Sequence, residues 1–378
     1  MDHVIDAPPP HVPRAEARTV ALEAAVDQAV LAPSVHNTQP WTLVLGPDRV
    51  EVRADRSRQL TVIDPLGREL VQSVGAALFN LRVALSAHGW AVRVDRLPQP
   101  DDPDLLAVAH AVAGAPDVAL AAYDAAIPRR RTNRRPLTGE PVPDELLREL
   151  IALAATEDTV LVPVVREDHR QLVARLTQQA DELQNADRAY RAEIRHWTNR
   201  PASAGDGVPV SAIPRVEGLT PVDMPQRDFD TRGEGQLPAD PGDSAGQTLV
   251  LLATRADSPL DWLRCGEALQ RVLLELTRRG WVASPVTQAI EVPLTRTQLR
   301  AALTWDAHPQ VLLRIGHADD LLAAPRRPRG DVVRNSTRPP ERRGTRAVPT
   351  STGWPPGRRE PRPAHRPVSD GRGGTTWL

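Results

Sequence analysis

Two short stretches carry side chains whose types and spacing could do chemistry. Residues 31–41 read LAPSVHNTQPW and gather Ser34, Asn37, Gln39 and Trp41 in a chain that is only 3 % aromatic. Amides both donate and accept hydrogen bonds, so Asn37 and Gln39 could satisfy the polar rim of a ligand without adding charge. Plain turn chemistry fits too, with Ser34 capping, Asn37 making a local side-chain turn and Pro40 stopping regular structure. His36 reads as a surface histidine of that loop and is given no role. The second stretch, residues 130–136, reads RRTNRRP. In an extended segment alternate side chains face one way, so Arg130, Thr132 and Arg134 would present two guanidiniums and a hydroxyl together. That set suits a phosphate, each charge-assisted hydrogen bond contributing roughly 1.5–3 kcal/mol. A solvated basic linker between two domains fits the same residues.

The elements that would position these stretches come in two similar series. Apolar residues recur at helical spacing from Ala15 to Leu31. WTLVL and VEVRA flank Gly46-Pro47-Asp48 as a hairpin, Asp64-Pro65 opens a long helix to about His88, and AVRVDRL and LLAVAHAVA read as strands. The second series has a helix from Pro143-Asp144, a strand at VLVPVV and a long polar helix over 167–196. A buried strand at TLVLLAT, a helix over 260–279 and a strand at HPQVLLRIG follow. Gly75-x-Ala77-Leu78, Leu85 and Gly89-Trp90 recur as Gly266-x-Ala268-Leu269, Leu276 and Gly280-Trp281. Every pair is 191 residues apart, the mark of an internal duplication: a single chain built like a dimer. Glycine inside a helix costs about 1 kcal/mol relative to Ala, which points to close approach of helices or of a cofactor.

At 378 residues the chain has room for two domains, and its 40 % apolar content supports a large core of Ala, Val and Leu. All 47 basic residues are Arg. The single Cys265 excludes an internal disulfide and a cysteine-cage metal site. The sequence shows neither a signal segment nor an apolar run approaching membrane-spanning length, which points to a cytoplasmic protein with no membrane partner. Residues 1–14 read as a flexible leader. Residues 334–378 carry ten Arg against Glu341, Glu360 and Asp370 and leave the remainder net acidic. The tail's few large apolar residues are too sparse to offset chain entropy, so it reads as disordered. Without interleaved aromatics it gives no expectation of nucleic-acid binding. Residues 198–246 have no period and many Gly and Pro, the composition of a lid over a site.

Together APSVHNTQPW and RRTNRRPLTGEPVPDELLREL resemble the two signatures of the flavin-dependent nitroreductases. In that family both lie on one short chain, in the opposite order, and each flavin sits between the subunits of a homodimer. Here the signatures are split between the halves. The second half has ALAATEDTVLVP where the Asn-Gln-Pro-Trp loop would stand, and the first opens with HVPRAEARTV in place of the phosphate run. The arrangement is similar to the Acg-type proteins of actinobacteria, single-chain nitroreductase-like flavoproteins linked to stress and dormancy. DPLGRELVQSVGAALFNLRVAL, HPQVLLRIGHA and the following APRRP also look like theirs.

The resemblance implies an α+β fold, nitroreductase-like and duplicated within one chain, with central antiparallel sheets flanked by helices. The halves would be residues 15–127 and 128–333, acting as a monomeric pseudo-dimer with one FMN. Arg130 and Thr132 would hold the FMN phosphate, with Arg134 near the ribityl chain or the pyrimidine edge. Arg326 and Arg327 match the family's C-terminal basic pair. Ser34, Asn37 and Gln39 would meet flavin edge atoms, and the Asp206-Gly207 step would turn the Gly207 N–H to flavin N5. The function implied is transfer of hydride from NAD(P)H through FMN to a nitroaromatic, a quinone or a similar acceptor. No triad, metal cluster or carboxylate pair accompanies it, as befits chemistry carried by a cofactor. The lid and the missing second site suggest an alternative, a flavin-sequestering or storage protein with little turnover.

Overall fold

The structure, a computed structural model, describes residues 14–134, 137, 141–198, 200–209, 212, 227, 247–318, 322–336, 367–369 and 375–377. The chain divides into two units, Met1–Pro340 and Glu341–Leu378. The first half of the larger unit runs α1 (Arg14–Ala29), β1 (Trp41–Leu45), β2 (Arg49–Ala54), α2 (Arg68–Ala87), β3 (Ala91–Arg96), β4 (Leu105–Val112) and α3 (Val118–Ala121). The second opens with α4 (Asp144–Ala155), β5 (Val160–Pro163), α5 (Glu167–Ala186), α6 (Arg188–Thr198), β6 (Thr248–Thr254) and α7 (Pro259–Arg278). It continues with β7 (Val282–Pro285), α8 (Gln288–Glu291), α9 (Pro293–Leu299), β8 (His308–Gly316), α10 (Arg329–Val332) and β9 (Val333–Asn335). The polar helix expected over 167–196 is two helices. Asp187 turns extended between them, and its Oδ1 accepts the Ala189 N–H at 2.8 Å to start α6.

The duplication is visible in both sheets. One has the order β3-β4-β2-β1-β9 and the other β7-β8-β6-β5. Apart from β9, equivalent strands occupy equivalent places, with every neighbour antiparallel. The sheets are antiparallel as expected, with the short edge strand β9 added parallel to β1, Leu43 opposite Val333 and Leu45 opposite Asn335. The reason is connectivity: β9 arrives from the second half and covers the edge that β1 would otherwise expose. The second half also carries two insertions. α5, α6 and the residues to 247 replace the tight turn of the first hairpin, and α8 and α9 replace the loop between β3 and β4.

α2 and α7 cross at the centre, each 20 residues long. A Cβ on Gly75 would lie 2.2 Å from the Leu263 carbonyl oxygen, and one on Gly266 would lie 2.0 Å from that of Gln72. Gln72 and Leu263 are themselves 191 residues apart, so the crossing has local two-fold symmetry and only glycine fits on either side. Both helices end alike, with Gly89 and Gly280 at φ of 80° and 79°. Among the described residues α2 is long and apolar enough to cross a membrane, contrary to the sequence reading. Yet 89 % of its apolar window is buried inside the protein, which makes it a core helix.

In the smaller unit, β10 (Pro367–Ser369) and β11 (Thr375–Trp377) form an antiparallel ribbon within the tail expected to be disordered. Residues 1–13 of the leader and the rest of the tail from 337 lie outside the described residues. Of the lid stretch, only 198, 200–209, 212 and 227 lie inside them.

Candidate functional site

The chain leaves α1 into a loop whose backbone is held in the left-handed region at three residues other than glycine. His36, Asn37 and Gln39 have φ of 43°, 55° and 49°. Such backbone costs about 1–2 kcal/mol per residue, least for Asn, and persists where surrounding bonds fix it. Ser34 precedes the short turn at Val35–Asn37 without capping it; its Oγ instead accepts the Gln39 N–H at 2.9 Å, and Ser73 Oγ on α2 accepts the Val35 N–H at 3.1 Å. The Asn37 amide donates to the carbonyls of Gly207 and Pro325, both at 3.0 Å. Gln39 donates to the Gly205 carbonyl at 2.8 Å and accepts the Arg327 N–H at 2.9 Å. Three distant segments, 34–39, 205–207 and 325–327, are thereby tied into one support.

Asn37 and Gln39 thus use their amides within the protein, Asn37 Oδ1 also accepting from the Arg326 guanidinium at 3.3 Å. The Gly207 N–H, expected to face flavin N5, donates to the Asn37 carbonyl at 3.2 Å. Gly207 sits at φ of 70°, and a Cβ there would meet Trp197 O and Arg200 Cδ at 2.7 Å. Arg327 donates to the Gln39 carbonyl at 3.1 Å. Gln39, Gly207 and Arg327 lie behind the cavity wall, whereas Ser34, Asn37, Arg130, Thr132, Arg134 and Arg326 line the cavity itself.

The opposite wall is the arginine run. Thr132 makes a parallel bridge to Ala283 of β7, which holds the segment extended. Arg130, Thr132 and Arg134 then line one chamber, which Arg131 lines as well, so the lining does not strictly alternate; Arg130 donates to Thr132 Oγ1 at 3.2 Å. Arg130 is 5 % exposed. Among the described residues neither Arg130 nor Arg326 has a carboxylate within ion-pair distance, and the Nε of each is buried without a hydrogen-bond partner. Burial, with Arg326, Arg131 and Arg134 nearby, pushes Arg130 down to about 9; burial and Arg131 push Arg326 down to about 10. Both remain cations at neutral pH; Arg326 spends its guanidinium on the carbonyls of Leu31 and Ala32 at 2.9 and 3.2 Å, which leaves its charge for an anionic ligand to offset.

This basic chamber adjoins a second one, sharing Pro33, Ser34, Thr132 and Arg134 with it. The second chamber lies between the central helices. Glu69, Gln72, Ser73 and Ala76 of α2 line one side at the i, i+3, i+4, i+7 spacing of a single helix face, opposite Leu269 and Leu273 of α7. Its far end is polar. Arg227 donates to Tyr190 OH at 2.5 Å and Glu291 Oε1 at 2.6 Å. Burial would raise Glu291, but Arg227 and hydrogen bonds from Thr287 and Gln184 hold it below its usual value. Glu69 goes the other way, pushed well up by burial, then by Glu291 and Asp64, with Arg68 opposing. His36 is buried rather than on the surface; burial and Arg227 push it down to about 3, so it is neutral.

The equivalent place in the other half is closed. Ala76 is matched by Glu267, Leu273 by Arg82 and Ser284 by Arg93, each 191 residues apart. Arg82 pairs with Glu267 at 2.7 Å and with Glu157 at 2.8 Å, while Arg96 reaches Glu267 at 2.7 Å. Ion pairs fill what apolar and small side chains leave open in the first. The residues that sequence reading passed over, His36, Glu69, Gln72 and Ser73, had one signal. Three of them are polar residues sharing one face of an otherwise apolar helix.

No family model matches the chain. Two proteins of Mycobacterium tuberculosis named "Putative NAD(P)H nitroreductase" match most of it. Rv3131 is 38 % identical over 332 residues, 85 % of this chain and 92 % of the relative. The acg protein is 32 % identical over 319 residues, 83 % and 95 % respectively. Among solved structures, the FMN- and NADPH-dependent nitroreductase NfnB of a sphigopyxis strain aligns with a TM-score of 0.34 at 19 % identity. That alignment covers 56 % of this chain and 96 % of NfnB. By its identity to the mycobacterial relatives over nearly their whole length, the chain belongs to the NAD(P)H nitroreductase family, alongside acg.

Proposed function

We propose that the chain binds one FMN across the two chambers and serves as an oxidoreductase, taking reducing equivalents from NAD(P)H and delivering them to a nitroaromatic, quinone or similar acceptor. The observation that carries this reading is that buried Arg130 and half-buried Arg326 have, among the described residues, no carboxylate within ion-pair distance and line a chamber that adjoins the one between the central helices. A phosphate suits Arg130, Thr132 and Arg326. The ribityl chain or pyrimidine edge would fall to Arg134, and a flat ring system suits the space between Ala76 and the leucines of α7. Neither FMN nor an acceptor needs an ionised acid or base from the α7 wall, and that wall offers none. When bound, FMN supplies two-electron chemistry, and the protein's part is to hold it, orient it and exclude water. The names of the mycobacterial relatives support NAD(P)H as the reductant. The test is direct. The purified chain, loaded with FMN, should be yellow and should oxidise NAD(P)H at ordinary enzymatic rates when a quinone is present. A chain that cannot be loaded, or that holds FMN without turnover, would end this reading; the second result would favour flavin storage.

A further inference from the structure

Glu69 is the one acid on the α2 face of the second chamber, and its setting differs from that of the chain's other buried acids. Glu267 and Glu291 are each ion-paired to arginine within 2.7 Å. Glu69 is 5 % exposed, its Oε1 is buried without a hydrogen-bond partner, and Arg68 approaches it only to 3.7 Å. The Arg68 guanidinium instead donates to the Ile290 carbonyl at 3.1 Å. Asp64, in the turn before α2, uses its Oδ2 on the Leu70 N–H at 2.9 Å. Of the other charged or titratable groups around the chamber, Arg227 is bound to Glu291, His36 is neutral, Arg314 donates to Ser284 Oγ at 3.3 Å, and Arg134 also lines the chamber.

We propose that Glu69 is the proton donor of this chamber, an uncharged carboxylic acid that protonates the electron acceptor. The proposal rests on the flavoenzyme reading above. A quinone that gains a hydride from reduced flavin needs one proton to become a hydroquinone, and a nitro group needs one to become a nitroso group and water. In each case the Glu69 O–H bond breaks and an O–H bond forms on the acceptor. The flavin is oxidised, the acceptor is reduced, and the carboxylate recovers its proton from solvent. Burial among apolar side chains, with Glu291 and Asp64 as neighbouring acids, keeps the proton on Glu69 until the acceptor takes it.

The experiment compares the FMN-loaded full chain with Glu69→Gln, which keeps the shape and removes the acid. The infrared spectrum at pH 7 should contain the carbonyl band of an un-ionised carboxylic acid, and the variant should lose it. Reduction of a quinone should slow roughly 100-fold or more. Reduction of ferricyanide, which takes electrons without a proton, should slow far less than reduction of the quinone. A parent without the band, or a variant that reduces quinone as fast as the parent, overturns the proposal. A parent that fails even with ferricyanide overturns the flavoenzyme reading, which is settled before the variant is made. Stability gives a second readout. An acid whose folded pKa is raised contributes fully below its unfolded value and loses that contribution as pH rises through the folded one. Glu69→Gln should therefore melt increasingly above the parent as pH rises beyond the ordinary glutamate value; a constant difference would also count against an un-ionised Glu69.

Discussion

Arg130 brings a charge into a place where, among the described residues, no acid meets it. Arg130→Ala should weaken FMN binding by roughly 2–3 kcal/mol, a factor of about 30 to 150, measured by titration of apo protein. Equal affinity would show that the phosphate lies elsewhere. His36 makes a different prediction, because its folded pKa lies near 3, far below the ordinary value. A group shifted down in this way stabilises fully above its unfolded pKa of 6.5 and is lost as pH falls from there towards 3. Below pH 6.5 the chain should lose up to about 1.4 kcal/mol per pH unit from this residue alone. His36→Asn, which tolerates the left-handed backbone, should flatten that part of the pH–stability curve. Side chains that share one short segment were legible in sequence: Arg130, Thr132 and Arg134 line one chamber because they are close in the chain, although Arg131 joins them where alternation would turn it away. The environment of His36 or Glu69 was not, because their burial depends on Arg227 and α8, more than 150 residues away.

Among elements, the crossing of α2 and α7 sets the tightest constraint. Gly75→Ala or Gly266→Ala would push a methyl group into backbone rather than a flexible side chain. Each should cost at or above the upper end of roughly 1–3 kcal/mol, read from denaturant unfolding. Gly89→Ala and Gly280→Ala meet nothing within 4 Å and suffer only the left-handed backbone, about 1 kcal/mol. Equal losses at all four positions would mean that the helices can slide apart. The repeat announced this crossing, since both glycines and the residues around them recur at one spacing. β7, α8, α9 and β9 escaped sequence reading because they are three to seven residues long and take their conformation from distant partners.

For the whole molecule, the duplicated fold with one chamber closed predicts one FMN per chain, counted by absorbance after the flavin is released, and a monomer in solution. Two per chain would mean that the ion-paired half opens. Glu267→Ala should cost roughly 3 kcal/mol, since it strands Arg96 and takes one of two acids from Arg82. The parallel strand β9 has a consequence in time. β1 leaves the ribosome with one edge bare, and the strand that covers it ends at Asn335, about 290 residues after Leu45. At roughly 5–20 residues per second that is a wait of about 15 to 60 s. During synthesis the earliest sheet is therefore among the last to be completed. A ribosome stalled before Val333 would display the unfinished edge of β1 as a template for any strand that came near.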